Sequence, residues 1–104
     1  MATTQRGVVC GRCGPYNDVL SLRDDVPMPE VGSGTVKVRV LAAGIAFPDV
    51  LVVEGKHMMK RSPPFVPASE LCGVVVEVGE DCCEGAPEVG DRVFGTTLTG
   101  SLAE

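Results

Sequence analysis

The 104-residue sequence contains a single histidine, His57, and no glycine-rich motif of the G-x-G-x-x-G or G-x-x-x-x-G-K-S/T type. A lone imidazole excludes a metal site or proton relay built from several histidines. The missing glycine motifs exclude the turns that commonly hold nucleotide phosphates. No apolar run approaches the ~20 residues that cross a bilayer, and the first residues lack the apolar segment of a secretory signal. These absences predict a cytoplasmic protein that does not insert into membranes.

Basic residues are also scarce, because 9 Lys and Arg stand against 14 Asp and Glu and give a net charge of −5. A chain with this charge repels phosphate backbones, so we expect no nucleic-acid partner. The five cysteines are an odd number and too sparse for a disulfide-stabilised secreted fold. We therefore expect reduced thiols.

Long uninterrupted segments are absent as well, since 13 glycines and 8 prolines are spread along the chain. Long helices are therefore not expected. Short apolar or alternating segments predict five strands instead, at residues 7–10, 19–22, 36–40, 72–78 and 91–94. The apolar start of segment 72–78 predicts burial on both faces of that strand and makes it the best core candidate. Strands of this number and length favour a small barrel or sandwich.

One short helix is predicted between Pro48 and Gly55. Proline suits the first helical position, Asp49 favours the positive N-terminal end, and glycine readily adopts the left-handed conformation at the C-terminal end. The stretch from Lys56 to Pro67 contains three prolines and four residues that are or can become cationic, which predicts a loop. Its basic part, Lys56 to Arg61, either attracts an anionic group or is simply exposed to solvent.

Two cysteine pairs are candidates for metal or redox chemistry. Cys10 and Cys13 are separated by two residues, and Cys82 and Cys83 are adjacent. Structural zinc sites usually use spaced ligand pairs, and an adjacent pair does not easily turn both sulfurs toward one ion. A thioredoxin-like redox role needs a helix after the first pair, whereas a glycine and a proline follow it here. Buried or incidental thiols are therefore the favoured interpretation.

Three other side chains carry acid–base or binding potential. His57 is either a solvated loop residue or part of a site, and residue type alone decides neither. Asp49 and Glu70 adjoin apolar segments, so each either lines a cleft or supports a helix or strand end. These residues do not suggest a serine–histidine–aspartate triad.

Four segments resemble, in order and spacing, the catalytic domain of the medium-chain dehydrogenase/reductases: Val36–Asp49, Pro64–Glu70, Gly73–Gly79 and Val89–Gly95. The resemblance implies a mainly β, GroES-like (chaperonin-10-like) fold, a partly open barrel with one short helix. In the zinc alcohol dehydrogenases of this family, a cysteine ligand stands at the position of Ala46 and a histidine ligand at that of Ser69. Alanine cannot coordinate zinc and a lone serine hydroxyl is a poor donor. The chain therefore resembles the zinc-free branch, the quinone oxidoreductases or zeta-crystallin-like proteins.

This resemblance implies reduction of a quinone or an activated carbon–carbon double bond by hydride from NADPH, without zinc. The substrate side would be formed by Ala46, Phe47, Asp49, His57 and Glu70. His57 stands where the zinc-free enzymes often have tyrosine and would donate a proton to a carbonyl oxygen during reduction. Asparagine usually stands at the position of Ala46, which lacks that polar contact. Phe47 would supply an apolar wall.

Family members are longer than this sequence, with a dinucleotide-binding domain after the barrel. Residues 1–104 are therefore expected to form an incomplete GroES-like catalytic domain that ends before its last strands and lacks the Rossmann domain holding most of NADPH. A homodimer is implied for a full-length form. The family's usual glycine before Ser69 is Ala68 here, a change that matters if the backbone needs a positive φ.

Two other functions remain open at this point. The first is a non-catalytic binding or assembly module that uses the barrel as an interaction surface. The second is a free-standing chaperonin-10-like ring subunit, which shares only the barrel with the dehydrogenases. Cofactor binding and the oligomeric state distinguish these alternatives from the enzyme.

Overall fold

Seven elements of secondary structure occur in the computed structural model, which describes residues 4–97 and 100–104. Their order is β1 (Thr4–Cys10), α1 (Tyr16–Val19), β2 (Leu20–Pro27), β3 (Val36–Gly44), α2 (Phe47–Glu54), β4 (Glu70–Val78) and β5 (Arg92–Thr96). Each strand overlaps one of the five segments predicted to be strands. The predicted mainly β class is therefore confirmed.

Antiparallel pairing joins the strands into two sheets that do not close on each other. One sheet contains β1 and β2, and in the other β4 lies between β3 and β5. Glu104 connects the sheets, because its N–H donates to the carbonyl of Arg6 and its carbonyl accepts from the N–H of Val40, both at 3.1 Å. This is the partly open barrel that the sequence predicted.

The main core cluster lies where the end of β1 meets the two helices and the loop after α2. The buried side chains of Cys10, Val19, Val53 and Phe65 pack together there. In β4, Val75 is fully buried, whereas the next residue, Val76, is exposed. The predicted burial on both faces of this strand is therefore wrong from Val76 onward. The strand still contributes a buried residue, but the core cluster itself forms around α2. Apolar burial holds this helix in place, since eight residues are too few for an independently stable helix.

The predicted helix is confirmed as α2, which begins at Phe47, one residue before the predicted proline. Gly55 ends it with φ 77°, in the left-handed region that glycine adopts without strain. The following loop is tied to β1 because the backbones of Phe65 and Cys10 exchange two hydrogen bonds, at 2.8 and 3.2 Å. The predicted loop is therefore confirmed and its far end is anchored to the core.

The structure contains a second helix, α1, where the sequence predicted only one. It has four residues and follows Pro15, so it is too short to produce a periodic hydrophobic pattern. Its last residue, Val19, is buried in the core cluster. Neither helix in the described part of the chain is long and apolar enough to cross a membrane.

The backbone at Ala68 does adopt a positive φ, 72°, and the residue is buried. A residue with a Cβ atom pays roughly 1–2 kcal/mol for this left-handed conformation. Hydrogen bonds hold the segment in place: the N–H of Ser101 donates to the carbonyl of Ala68 at 3.2 Å, and that of Leu102 to Pro67 at 3.3 Å. The backbone at residue 68 therefore has the positive φ at which alanine in place of the family's usual glycine matters.

Candidate functional site

Asp49 and Ala46 form the start of α2. The carboxylate of Asp49 accepts a hydrogen bond from the N–H of Ala46 at 2.8 Å, and the N–H of Asp49 donates to the carbonyl of Ala46 at 3.0 Å. Asp49 is only 9 % exposed. A carboxylate in the first turn satisfies a backbone donor and interacts favourably with the positive end of the helix. Asp49 therefore supports the helix end, one of the two roles that the sequence left open.

Apolar side chains flank Ala46 on both sides along the chain. Phe47, the first residue of α2, is 73 % exposed, and Ile45 is exposed to a similar degree. Ala46 itself is half-buried. The start of α2 therefore presents apolar surface, as an apolar wall requires, and the polar carboxylate of Asp49 is turned to its own backbone.

His57 lies in the loop two residues beyond Gly55 and is half-buried. Its Nδ1 accepts a hydrogen bond from the N–H of Met59 at 3.0 Å. Because Nδ1 acts as acceptor, a neutral ring carries its proton on Nε2, which no side-chain or backbone group engages in the described structure. His57 thus has a defined orientation and an available donor.

Two basic side chains near His57 contact groups at the end of α2. The ammonium of Lys60 donates to the carbonyl of Gly55 at the end of α2, where a cation is favourable. Lys56 lies 3.7 Å from the carboxylate of Glu54. The sequence left open whether this basic loop attracts an anionic group or is simply exposed to solvent; these contacts are a third use, in which two of its charges interact with the end of α2.

Glu70, the first residue of β4, lies opposite the end of β3. A Cβ atom at Gly44 would lie 2.6 Å from Oε2 of Glu70, so the carboxylate covers this glycine. Glu70 also lines an open depression of about 570 Å³ between β3, β4 and β5. Phe94 and Thr96 of β5 line it too, and Phe94 is 89 % exposed. Neither residue was predicted to line a site, although the alternation of β5 places both on the face opposite Val93.

The predicted site residues are thus arranged around α2 in three places. Ala46, Phe47 and Asp49 lie at its start, and His57 follows its other end, separated by a helix about 12 Å long. Glu70 approaches from β4 over Gly44, two residues before Ala46. The structure thus places Ala46, Phe47 and Asp49 together, whereas His57 lies beyond the opposite end of the helix. The roles of all five residues toward a substrate stay predictions.

No three His, Cys, Asp or Glu side chains within residues 4–97 and 100–104 lie close enough to hold a metal ion. The two cysteine pairs occupy different parts of the fold. Cys10 ends β1 in the core, whereas Cys82 lies in the turn after β4, with its Sγ 3.4 Å from the carbonyl oxygen of Gly79. The described cysteines are therefore not grouped as a four-thiolate site requires, and zinc independence stays a prediction.

The sequence model of the alcohol dehydrogenase GroES-like domain matches residues 32–103, well over half of the chain. The chain belongs to this family. Its sequence is 37 % identical over 92 residues to quinone oxidoreductase-like protein 2 of Rattus norvegicus, covering 88 % of this chain and 25 % of the rat protein. This GroES-like domain thus spans about a quarter of the length of that relative.

Solved structures confirm the GroES-like fold of this domain. The human synaptic vesicle membrane protein VAT-1 homolog-like protein superposes with a TM-score of 0.88 at 33 % identity, over 99 % of this chain and 32 % of that one. A mycobacterial protein solved in complex with NADPH superposes with a TM-score of 0.80 at 34 % identity, over 96 % of this chain and 28 % of that one. The resemblance to the quinone oxidoreductase branch is therefore confirmed.

Proposed function

We propose that this GroES-like domain forms the substrate side of an NADPH-dependent, quinone-oxidoreductase-like enzyme that reduces a quinone or an activated carbon–carbon double bond. The observation that carries the proposal is the fixed imidazole of His57, whose Nδ1 is held by the Met59 N–H and whose Nε2 is available as donor. The name of the rat relative and the NADPH complex of the mycobacterial relative support the reaction class.

Reduction of a quinone or enone places negative charge on a carbonyl oxygen of the substrate. A hydrogen bond from Nε2–H of His57 stabilises that charge. Transfer of the same proton to the oxygen completes the reduction of a quinone; from an enone it gives the enol, which takes a proton from water at carbon and loses the one on oxygen. The ring is half-buried, so water reaches it and restores the proton. The reaction at this side chain therefore needs no second titratable group.

In this proposal, the remaining residues contact the substrate or hold the elements that carry those contacts. Phe47 supplies an apolar wall for the substrate ring, next to Ala46, which leaves the wall without a polar group. Asp49 holds the start of the helix that carries both. Glu70 lines the neighbouring depression and gives it a negative charge.

NADPH supplies the hydride in this reaction class. Dinucleotide phosphates bind at a helix start within a parallel β–α–β unit, whereas every strand pair among the described residues is antiparallel. The described residues do not fit the phosphates, so a separate Rossmann domain would hold most of NADPH. The absence of a donor atom at Ala46 favours a zinc-independent enzyme. We place the enzyme in the cytoplasm, as a homodimer in its longer form.

The test uses the 104-residue chain and the NMR signals of its single histidine. A water-soluble, fully substituted benzoquinone is expected to shift the ring signals of His57 in a saturable way. NADPH alone is expected to leave them unchanged up to about 1 mM, a concentration that detects even weak binding.

Substitution of His57 distinguishes quinone binding at this residue from quinone binding elsewhere on the domain. His57→Phe keeps an aromatic ring without a donor and is expected to bind the quinone about tenfold more weakly by calorimetry, the equivalent of roughly 1.4 kcal/mol. Met58→Ala, a change at the adjacent exposed residue, is the matched control and is expected to bind as the wild type does. Equal binding by all three chains would contradict the proposal.

A non-catalytic interaction module is the second candidate function. The exposure of Phe94 on β5 favours it, since a large aromatic side chain on an open sheet is typical of a surface that meets another protein. Light scattering before and after Phe94→Ser would distinguish it: concentration-dependent association that disappears in the variant, with no quinone binding, would favour the module.

A further inference from the structure

Cys10 and Cys13 form one of the two cysteine pairs that the proposed function does not use. Cys10 ends β1 and is fully buried, whereas Cys13 is exposed three residues later. The helix α1 begins at Tyr16, two residues after Gly14. A short helix therefore does follow the pair, although Gly14 and Pro15 separate it from Cys13, as the sequence indicated.

The turn between the two cysteines is tightly held. The N–H of Gly11 donates to the carbonyl of Val19 and that of Gly14 to the carbonyl of Val53, both at 3.1 Å. Within the turn, the thiol of Cys10 donates to the carbonyl of Arg12 at 3.0 Å. This contact holds the buried sulfur of Cys10 against the backbone of the residue that precedes Cys13.

The two thiols also interact electrostatically. Burial raises the pKa of the Cys10 thiol, and the nearby charge of a Cys13 thiolate raises it further. A pair with one exposed and one buried thiol has an accessible attacking group and a sheltered partner. The repulsion disappears when the sulfur of Cys13 becomes neutral, whereas burial, the larger cause, continues to raise the pKa of the Cys10 thiol.

We propose that Cys10 and Cys13 form a reversible disulfide when the protein meets a peroxide. The Cys13 thiolate attacks one peroxide oxygen, the O–O bond breaks, and Cys13 becomes a sulfenic acid while hydroxide leaves and takes up a proton. The sulfur of Cys10 then attacks that of Cys13, the S–S bond forms, the S–O bond breaks, and a second water leaves with the proton of Cys10. The two thiols lose two electrons, which reduce hydrogen peroxide to two waters.

The disulfide acts on the end of α2. A Cβ atom at Gly55 would lie 3.2 Å from Cβ and 3.5 Å from Sγ of Cys13, so the exposed cysteine packs against the residue that ends the helix. Turning the Cys13 sulfur toward Cys10 changes this contact, two residues before His57. The oxidation state of the pair is thereby transmitted to the loop that carries the histidine.

The first experiment treats the 104-residue chain with a small excess of hydrogen peroxide and digests it with trypsin without reduction. Trypsin cleaves after Arg12, between the two cysteines, so a disulfide keeps the two flanking peptides joined in the mass spectrum. A thiol reductant is expected to separate them and restore the original masses.

Two variants complete the peptide map. Cys13→Ser is expected to abolish the joined species, whereas Cys83→Ser, which removes another exposed cysteine, is expected to retain it. Recovery of Cys13 as a sulfinic or sulfonic acid without joined peptides would overturn the proposal. Joining of either peptide to one that contains Cys72, Cys82 or Cys83 would overturn it equally.

A second measurement tests the link to the loop. Oxidation is expected to shift the NMR ring signals of His57 in the wild type but not in Cys13→Ser. Unchanged signals in an oxidised wild type would refute transmission through Gly55, while the peptide map decides the disulfide itself. Neither readout depends on quinone reduction.

Discussion

Removal of the Asp49 carboxylate tests whether this residue holds the start of α2 or belongs to a binding site. Asp49→Ala eliminates a 2.8 Å bond from the Ala46 N–H to a charged acceptor that is 9 % exposed. Hydrogen bonds to charged groups contribute about 1.5–3 kcal/mol. We therefore expect a loss of about 2 kcal/mol in the free energy of unfolding, or a fall of about 1 M in the urea midpoint followed by far-ultraviolet circular dichroism.

The chain offers a matched control for this substitution. Asp91 makes the same pair of contacts with Glu88, a side-chain bond at 2.9 Å and a backbone bond at 3.0 Å, but on an exposed turn. Asp91→Ala is expected to cost less than about 1 kcal/mol, because water replaces the lost partner. Asp49→Asn keeps an acceptor oxygen and is expected to lose only about 0.5–1 kcal/mol of interaction with the helix end.

Two results would refute this reasoning. Equal stability of the Asp49→Ala and Asp91→Ala chains would show that burial at the start of α2 adds nothing to the contact. A stable Asp49→Ala chain that had lost only quinone binding would show that the carboxylate faces the substrate.

Two further substitutions test the connection between the sheets and the pairing within one of them. Hydrogen bonds from Arg6 hold the pKa of Glu104 below its ordinary value of 4.5. The 2.7 Å ion pair between these two side chains therefore stabilises the folded protein fully above pH 4.5. This stabilisation is lost as the pH falls through the pKa that Glu104 has in the folded protein. Urea unfolding should therefore separate Glu104→Gln from the wild type at neutral pH and not in strong acid; a difference that persists in acid would contradict this. In Gly73→Ala, the new Cβ would overlap the carbonyl oxygen of Arg39 across the β3–β4 pair, so we expect loss of the sheet signal in circular dichroism. Gly95→Ala is the control and should keep the fold, because its new Cβ meets no atom within 4 Å. Indistinguishable spectra of the two alanine variants would argue against the pairing.

Local signals predicted most of the fold. The alternation around Val38 predicted β3, and the proline and glycine at either end of α2 predicted its limits to within one residue. These signals work because side-chain alternation and helix ends depend on residues only a few positions apart. The four-residue α1 produces no such pattern and was therefore not predicted; in the structure its last residue, Val19, packs in the core.

The candidate site was less accessible to sequence reasoning. The family resemblance pointed to His57 and Glu70, but residue type alone left each with two interpretations. The orientation of the His57 ring depends on a backbone contact with Met59, which no sequence pattern records. The depression beside Glu70 depends on the register of β4 with β5, which brings Phe94 opposite Cys72.

The sequence by itself determined the mainly β class, the five strands, the helix with its Gly55 cap and the family resemblance. Each of these depends on composition or on residues close together in the chain. Only the tertiary structure decided that Glu70 covers Gly44 and that Cys13 packs against Gly55. The physical reason is that strand pairing and the docking of the β1 turn on α2 join residues up to about 40 positions apart, and no local pattern records which partners meet.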